Sequence, residues 1–261
     1  MINKRLIPVI ILKNGLVVQS FNFQKYLPIG KPEYIVRYLS TWECDELIIL
    51  DIDASNNNSL INTDLIKFLS KNVSIPLTIG GGVNSIQSAE VYFKNGADKI
   101  SINSLFLDAQ FSTINSISEE YGSQSIVLSI DFIQIEDGTY YLYDYKKKGK
   151  TKIDIFKVFD LIENQLQVGE VLINSVNRDG SKLGYDIELY KLANDFVNHP
   201  ILSLGGANRH EHFIEILQLN KITGMCAGNI FLHTEHSVEI FRSKINKVQN
   251  ILRPNNYFSY E

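Results

Sequence analysis

Glu46-Leu47-Ile48-Ile49 returns 124 residues later as Glu170-Val171-Leu172-Ile173. The stretch from Pro76-Leu77 to Gly81-Gly82 returns at the same offset as Pro200-Ile201 to Gly205-Gly206. Two blocks sharing one offset are hard to explain as chance matching of common residues. The period is too long for a solenoid unit and close to half of the 261 residues. The sequence therefore predicts one domain over 1–261 made of two similar halves, roughly 1–124 and 125–261. No low-complexity stretch or linker separates them.

Each half must contain its own strands and helices. Apolar, β-branched runs recur at RLIPVIIL (5–12), ELIILDID (46–53), IPLTIGG (75–81), DKISIN (98–103), SIVLSID (125–131), EVLINSV (170–176), PILSLGG (200–206) and ITGMCAG (222–228). Between them lie helically spaced groups such as Tyr34, Ile35, Tyr38 and Leu39, or Ile155, Phe156, Phe159 and Leu161. Runs this apolar suit parallel strands buried on both faces. Eight strands alternating with helices in a chain of this length predict an α/β fold, a single (β/α)8 TIM barrel with a two-fold half-barrel repeat. A doubly wound open sheet is the structural alternative. A further hairpin is expected in the fifth unit, over Thr139–Tyr145 and back through Lys150–Lys152 after the turn Asp137-Gly138.

Composition narrows the function. Apolar residues make up 44% and charged residues 21%, and the formal net charge is −4. No bulk basic field exists for nucleic acid or anionic lipid. The one basic run, Lys146-Lys147-Lys148 with Lys150, reads as a solvated hairpin. Cys44 and Cys226 lie too far apart in sequence to suggest a disulfide framework or metal spacing, and both read as buried thiols. No apolar run is long enough for a membrane span, and the N-terminal stretch lacks signal-peptide features, so a cytoplasmic location is expected.

In such barrels chemistry collects at the carboxyl ends of the strands. Gly80-Gly81-Gly82 follows the third strand, with Asn84-Ser85 placed to cap the next helix, and Gly205-Gly206-Ala207-Asn208 follows the seventh. Asn103-Ser104 and Gly228-Asn229 follow the fourth and eighth. Glycines let backbone approach an anion, and the helices that follow offer free N–H groups. Gly81, Gly82, Asn103 and Ser104 on one side, and Gly205, Gly206, Gly228 and Asn229 on the other, are thus candidate phosphate sites. Two such sites imply a ligand with a phosphate at each end. The bland alternative is that the glycines only serve tight turns.

Acid–base candidates at the same face are Asp51, Asp53, Asp131 and Asp179, with Asp131 ending the fifth strand. Asp179-Gly180, within Asn177-Arg178-Asp179-Gly180, suits either a ligand or a capped loop. The histidines show no ligand spacing, so no metal is expected, and Cys226 has no base beside it. No cofactor is called for. At the opposite end, Arg5, Glu46, Lys99 and Glu170 begin the first, second, fourth and sixth strands. They read as an ion-pair layer closing the barrel floor, or as a gate.

With these residues in hand, the chain resembles the cyclase subunit of imidazole-glycerol-phosphate synthase (HisF) over nearly its whole length. Arg5–Pro8, Asp45–Leu47, Leu50–Ser55, Gly80–Gly82, Lys99–Asn103, Asn177–Gly180, Gly184–Asp186 and Gly205–Ala207 carry the resemblance. It implies a bisphosphate-like ligand, a HisH-like glutaminase partner, and Arg5, Glu46, Lys99 and Glu170 as the gate through which ammonia enters. It also implies two opposed catalytic aspartates ending strands 1 and 5. Asp131 matches the second, but the first falls at Ile11, which cannot accept or deliver a proton. Losing one such partner costs on the order of 10²–10⁴ in rate. The lysine of the family's mobile first loop falls at Gln19, and small hydroxyl positions fall at Asn174 and Leu204.

A diverged, glycosyl-amidation-associated (WbuZ-like) branch resembles the chain more closely. It shares the apolar run at the first aspartate and an Ile-Asn-Ser segment like Ile173-Asn174-Ser175. That resemblance implies ammonia handling for acetamidino formation on a bacterial surface sugar, beside a separate sugar amidotransferase. The orthodox cyclase and a non-catalytic phosphate-binding scaffold for the glutaminase stand as alternatives.

Overall fold

The computed structural model describes residues 3–233 and 235–254. In chain order the first half contains β1 (Arg5–Lys13), β2 (Leu16–Phe21), β3 (Lys25–Gly30), α1 (Pro32–Thr41), β4 (Leu47–Asp51), α2 (Thr63–Asn72), β5 (Leu77–Gly80), α3 (Ile86–Lys94), β6 (Lys99–Ile102), α4 (Ser104–Leu107) and α5 (Phe111–Tyr121). The second contains β7 (Ile126–Gln134), β8 (Tyr140–Asp144), β9 (Gly149–Asp154), α6 (Ile155–Gln165), β10 (Glu170–Ser175), α7 (Ile187–Phe196), β11 (Ile201–Leu204), α8 (His210–Glu215), β12 (Ile222–Ala227), α9 (Asn229–His233) and α10 (Ser237–Val248).

Eight strands, one in each of the expected runs, pair in parallel in the order β1-β4-β5-β6-β7-β10-β11-β12, and β12 returns to β1. The sheet is a closed (β/α)8 barrel. Its strands read as unbroken apolar runs because alternate residues serve two cores. Leu47 and Ile49 pack outward under the helices, whereas Ile48 joins Ile7, Val9, Val127, Leu172, Leu202 and Cys226 in the lumen. Burying each such side chain contributes about 1.5–3 kcal/mol.

Two antiparallel hairpins leave this frame. β8 and β9 extend β7 where the turn residues foretell a hairpin. β2 and β3 extend β1 through the two-residue turn Asn14-Gly15 (φ 50° and 73°), an excursion that is not among the elements expected above. Both hairpins continue the nine-residue first strand of a half-barrel, so the two-fold repeat includes its excursions.

The helix at α1 forms as expected, but its buried face is Val36 and Leu39. Tyr34 and Tyr38 face solvent, 65% and 64% exposed. In α6, Ile155 and Phe159 are buried with Val158 and Ile162, while Phe156 lies outside against Phe196. Ser85 caps α3 in a reciprocal box with Ser88: Ser88 N donates to Ser85 Oγ at 3.2 Å and Ser85 N to Ser88 Oγ at 2.9 Å.

Candidate functional site at the barrel mouth

The carboxyl ends of the strands enclose a cavity of about 840 Å³. Gly81, Gly82, Asn103 and Ser104 line one side, and Gly205, Gly206, Gly228 and Asn229 line the other. Both glycine pairs have positive φ, at 119° and 71° for Gly81-Gly82 and 107° and 88° for Gly205-Gly206. The loops' own packing also demands glycine. A Cβ on Gly82 would stand 1.9 Å from Ser59 O, and one on Gly206 would stand 2.2 Å from Gly184 O.

Asp131 lines the cavity near the end of its strand, and its carboxylate is held by two carboxamides. Asn174 Nδ2 donates to Oδ1 at 3.0 Å and Asn103 Nδ2 to Oδ2 at 3.1 Å. The three come from adjacent strands or their ends, β6, β7 and β10, where Asn174 is in register with Asp131. No cation pairs with Asp131 among the described residues, and burial pushes its pKa up to about 6, against the lowering effect of the two amides. A carboxyl poised there can give or take a proton near neutrality. Ile11, across the barrel on β1, lines the same cavity and offers no titratable partner.

The other carboxylates at this face already have partners in the surrounding loops. Asp51 is raised by burial and accepts the N–H groups of Asp53 and Ala54 at 2.9 and 3.2 Å. Burial would raise Asp53 too, but Lys13 Nζ and Asn14 N, each at 2.8 Å, outweigh it and hold it below the usual range. Asp179 is raised by burial and grips the β2–β3 hairpin. Ser20 Oγ donates to its Oδ2 at 2.6 Å, Phe23 N to the same oxygen at 3.1 Å, and Asn22 N to its backbone oxygen at 3.0 Å. Gly180 lets this contact close, since a Cβ there would meet Ser20 O at 2.5 Å. Asn229 grips the same residue, accepting from Ser20 N at 3.2 Å and donating to Ser20 O at 2.8 Å. In this structure the side chains of Asp179 and Asn229 therefore clasp the hairpin. Gln19, on that hairpin, donates to Asn229 O at 3.5 Å.

Sequence reasoning missed the roof of the cavity. The β2–β3 and β8–β9 hairpins rise from strands on opposite sides of the barrel, and Phe23 meets Tyr143 edge-on at 5.7 Å. Phe21, Tyr26 and Tyr145 line the same space. Two turn signals were available, Asn14-Gly15 after β1 and Asp137-Gly138 ahead of the tyrosine-rich stretch.

At the barrel floor the four charged residues form a closed ring. Arg5 pairs with Glu46 at 2.7 Å and with Glu170; Lys99 pairs with Glu46 at 3.1 Å and Glu170 at 2.6 Å. Thr78 Oγ1 donates to Glu46 Oε1 at 2.8 Å. Burial opposes the charge of Glu170, but Arg5 and Lys99 outweigh it and keep its pKa low. Between floor and mouth lies the apolar lumen cluster, in which burial raises the Cys226 thiol far above its usual range. Among the described residues, no group of three or more His, Cys, Asp or Glu is placed to hold a metal ion. No described helix is long and apolar enough to cross a membrane.

The family model described as "Histidine biosynthesis protein" matches residues 5–237. A Vibrio vulnificus protein named "Putative imidazole glycerol phosphate synthase subunit hisF2" is 36% identical over 261 residues, covering 100% of this chain and 95% of that protein. An Exiguobacterium protein named imidazole glycerol phosphate synthase subunit HisF is 37% identical, covering 92% of each. One of the same name from Saccharolobus solfataricus is 34% identical, covering 88% of this chain and 91% of its own length. With a family model spanning nearly the whole barrel and relatives above 30% identity over nine-tenths or more of their length, this chain belongs to the histidine biosynthesis protein family and is HisF-like.

Proposed function

We propose that the chain is a synthase subunit that takes ammonia from a docked HisH-like glutaminase and supports amidation of a bacterial surface sugar, beside a sugar amidotransferase. The observation that carries the reading is the contrast between the two barrel ends. At the floor, Arg5, Glu46, Lys99 and Glu170 keep a complete ring at the entrance to an apolar lumen. At the mouth, Asp131 faces Ile11 instead of a second acid. Neutral ammonia can cross an apolar lumen that would exclude ammonium, because burying an uncompensated charge is far more costly than burying a small neutral molecule. A single acid–base group can assist one proton transfer, whereas ring closure assisted by an opposed acid and base needs both.

The candidate phosphate residues are assigned to the two ends of the ligand: Gly81, Gly82, Asn103 and Ser104 at one, and Gly180, Gly205, Gly206 and Gly228 at the other. Asp179 and Asn229 act there through the hairpin that they hold. The orthodox cyclase is the second reading. It is favoured by the names of the relatives from Exiguobacterium and Saccharolobus and by an Asp131 still tuned near neutrality. A scaffold role is the third; Asp131→Asn that leaves pathway output normal would support it. Expression in a histidine auxotroph lacking the cyclase separates the first two: the proposal predicts no growth without histidine, and rescue would overturn it.

A further inference from the structure

The 124-residue repeat aligns Asn84 and Ser88 with Asn208 and His212, and each pair closes the turn that follows a glycine loop. In the first half Ser88 Oγ accepts from Asn84 N and from Ser85 N, each at 2.9 Å. In the second half an imidazole replaces the hydroxyl: His212 Nδ1 accepts from Asn208 N at 3.2 Å. Its other nitrogen, Nε2, faces Arg209 Nε at 3.0 Å. A neutral imidazole has one acceptor nitrogen and cannot serve both donors. Arg209 is 66% exposed and can turn to water, whereas the Asn208 N–H is fixed in the turn. The ring therefore keeps Nδ1 for Asn208 and carries its proton on Nε2.

The ring is buried and stands against Gly184, where a Cβ would meet His212 Cδ2 at 3.0 Å. Gly184 N in turn donates to Gly206 O at 2.9 Å. His212 thus touches both loops that shape this end of the mouth. The charged groups that face it are Glu215, Arg209 and Glu211, all on its own turn and helix. Of the elements packed on α8, the loop before α7 meets the ring with Gly184, and its Asp186 is spent on Tyr140 and Ser175. α10 sets Phe241 against His210 and brings Lys244 near Glu211. Burial, aided by Arg209, holds the imidazole below its ordinary range against the pull of Glu215 and Glu211. The ring is therefore neutral at pH 7.5 and gains its proton in mild acid.

We propose that His212 is a pH-sensitive latch on one of the two anion loops, so that protonation of its ring releases the Gly205–Asn208 turn and weakens that end of the ligand site alone; the inference rests on the phosphate reading of the glycine loops given above. An imidazolium has an N–H on both nitrogens and no acceptor, so the Asn208 contact becomes two opposed donors. The ring must then turn against Gly184, and the Gly184–Gly206 contact shifts with it. Ser88 does not titrate in this range, so the Gly81–Gly82 loop stays latched. The ligand is then let go at one end first as pH falls.

NMR spectroscopy of the full chain between pH 8 and pH 5 tests the latch, with inorganic phosphate as the probe. The Asn208 amide should follow the His212 ring through one shared midpoint, below the ordinary histidine value of about 6.5, while Asn84 stays still. Phosphate affinity is read separately from the Gly81–Gly82 and Gly205–Gly206 amides, and their ratio cancels the protonation of phosphate itself. In the parent, binding at Gly205–Gly206 should fall roughly fivefold relative to Gly81–Gly82 between pH 7.5 and pH 5, the scale of one hydrogen bond. His212→Asn places an oxygen where Nδ1 stands and cannot titrate, so its ratio should stay within about twofold over the same range. Asp131 titrates in both proteins, so only the difference between them reports the latch. An Asn208 amide that ignores His212, a parent ratio that does not move with pH, or an equal change in His212→Asn would overturn the proposal. The first two are read on the parent and do not need the variant to fold. If phosphate shifts neither loop, the phosphate reading falls, and the latch stands or falls on whether the Asn208 amide follows His212.

Discussion

Asp131 is the residue on which the chemistry turns, and its environment has a cost in stability. A carboxyl raised to about 6 holds its proton more tightly in the folded protein than in the unfolded chain. It therefore destabilises the fold as pH rises from about 4 to 6, and the full penalty stands above pH 6. Asp131→Asn removes that penalty. One neighbouring carboxamide can turn its unpaired oxygen to the new amide, so no fresh mismatch follows. The variant should be more stable than the parent at pH 8, by on the order of 2 kcal/mol. The gain should shrink markedly at pH 5. Urea unfolding at the two pH values checks this; an equal change at both would mean that Asp131 titrates in its ordinary range.

Among the elements, the β2–β3 hairpin depends most on a few contacts. It is held to the rest of the mouth by Ser20 Oγ, Asn22 N and Phe23 N on Asp179 and by the Ser20 backbone on Asn229. Ser20→Ala removes a charge-assisted hydrogen bond of about 1.5–3 kcal/mol. Amide hydrogen exchange should accelerate about tenfold or more across residues 16–30, with barrel strands such as β7 unchanged. Uniform acceleration would show that the hairpin and barrel open together.

The same elements mark what the sequence could and could not reveal. Barrel strands were legible because both faces are buried, which leaves continuous apolar runs such as that ending at Asp131. The β8–β9 hairpin was legible through Asp137-Gly138. Asn14-Gly15, which turns β1 back into β2, carried the same kind of signal, but β3 beyond it is largely exposed and contains Pro28, so no alternating pattern marks the second arm. The clamp on Asp131 was hidden for another reason. Asn103 and Asn174 lie 71 positions apart and meet Asp131 only through the register of neighbouring strands. At α1 the periodicity gave the helix, but the tyrosines were no guide to its buried face, because an amphipathic ring can sit at the surface.

Across the whole molecule, one end of the barrel keeps a paired, buried charge network, while at the other Asp131 faces Ile11 rather than a second acid. The floor ring's members depend on one another. Arg5→Met would leave Glu46 and Glu170 sharing only Lys99, so a loss of about 3–5 kcal/mol is expected in urea unfolding at pH 7.5. A loss under 1 kcal/mol would mean that the ring contributes little to closure. In the proposed function the barrel receives ammonia but, with Ile11 in place of an acid, has given up ring closure. The most direct measurement is turnover of the histidine-pathway ribonucleotide by the purified chain with saturating ammonium salt at pH 8. No imidazole glycerol phosphate above the enzyme-free background is expected; sustained, enzyme-dependent formation of that product would show that the barrel still closes the ring.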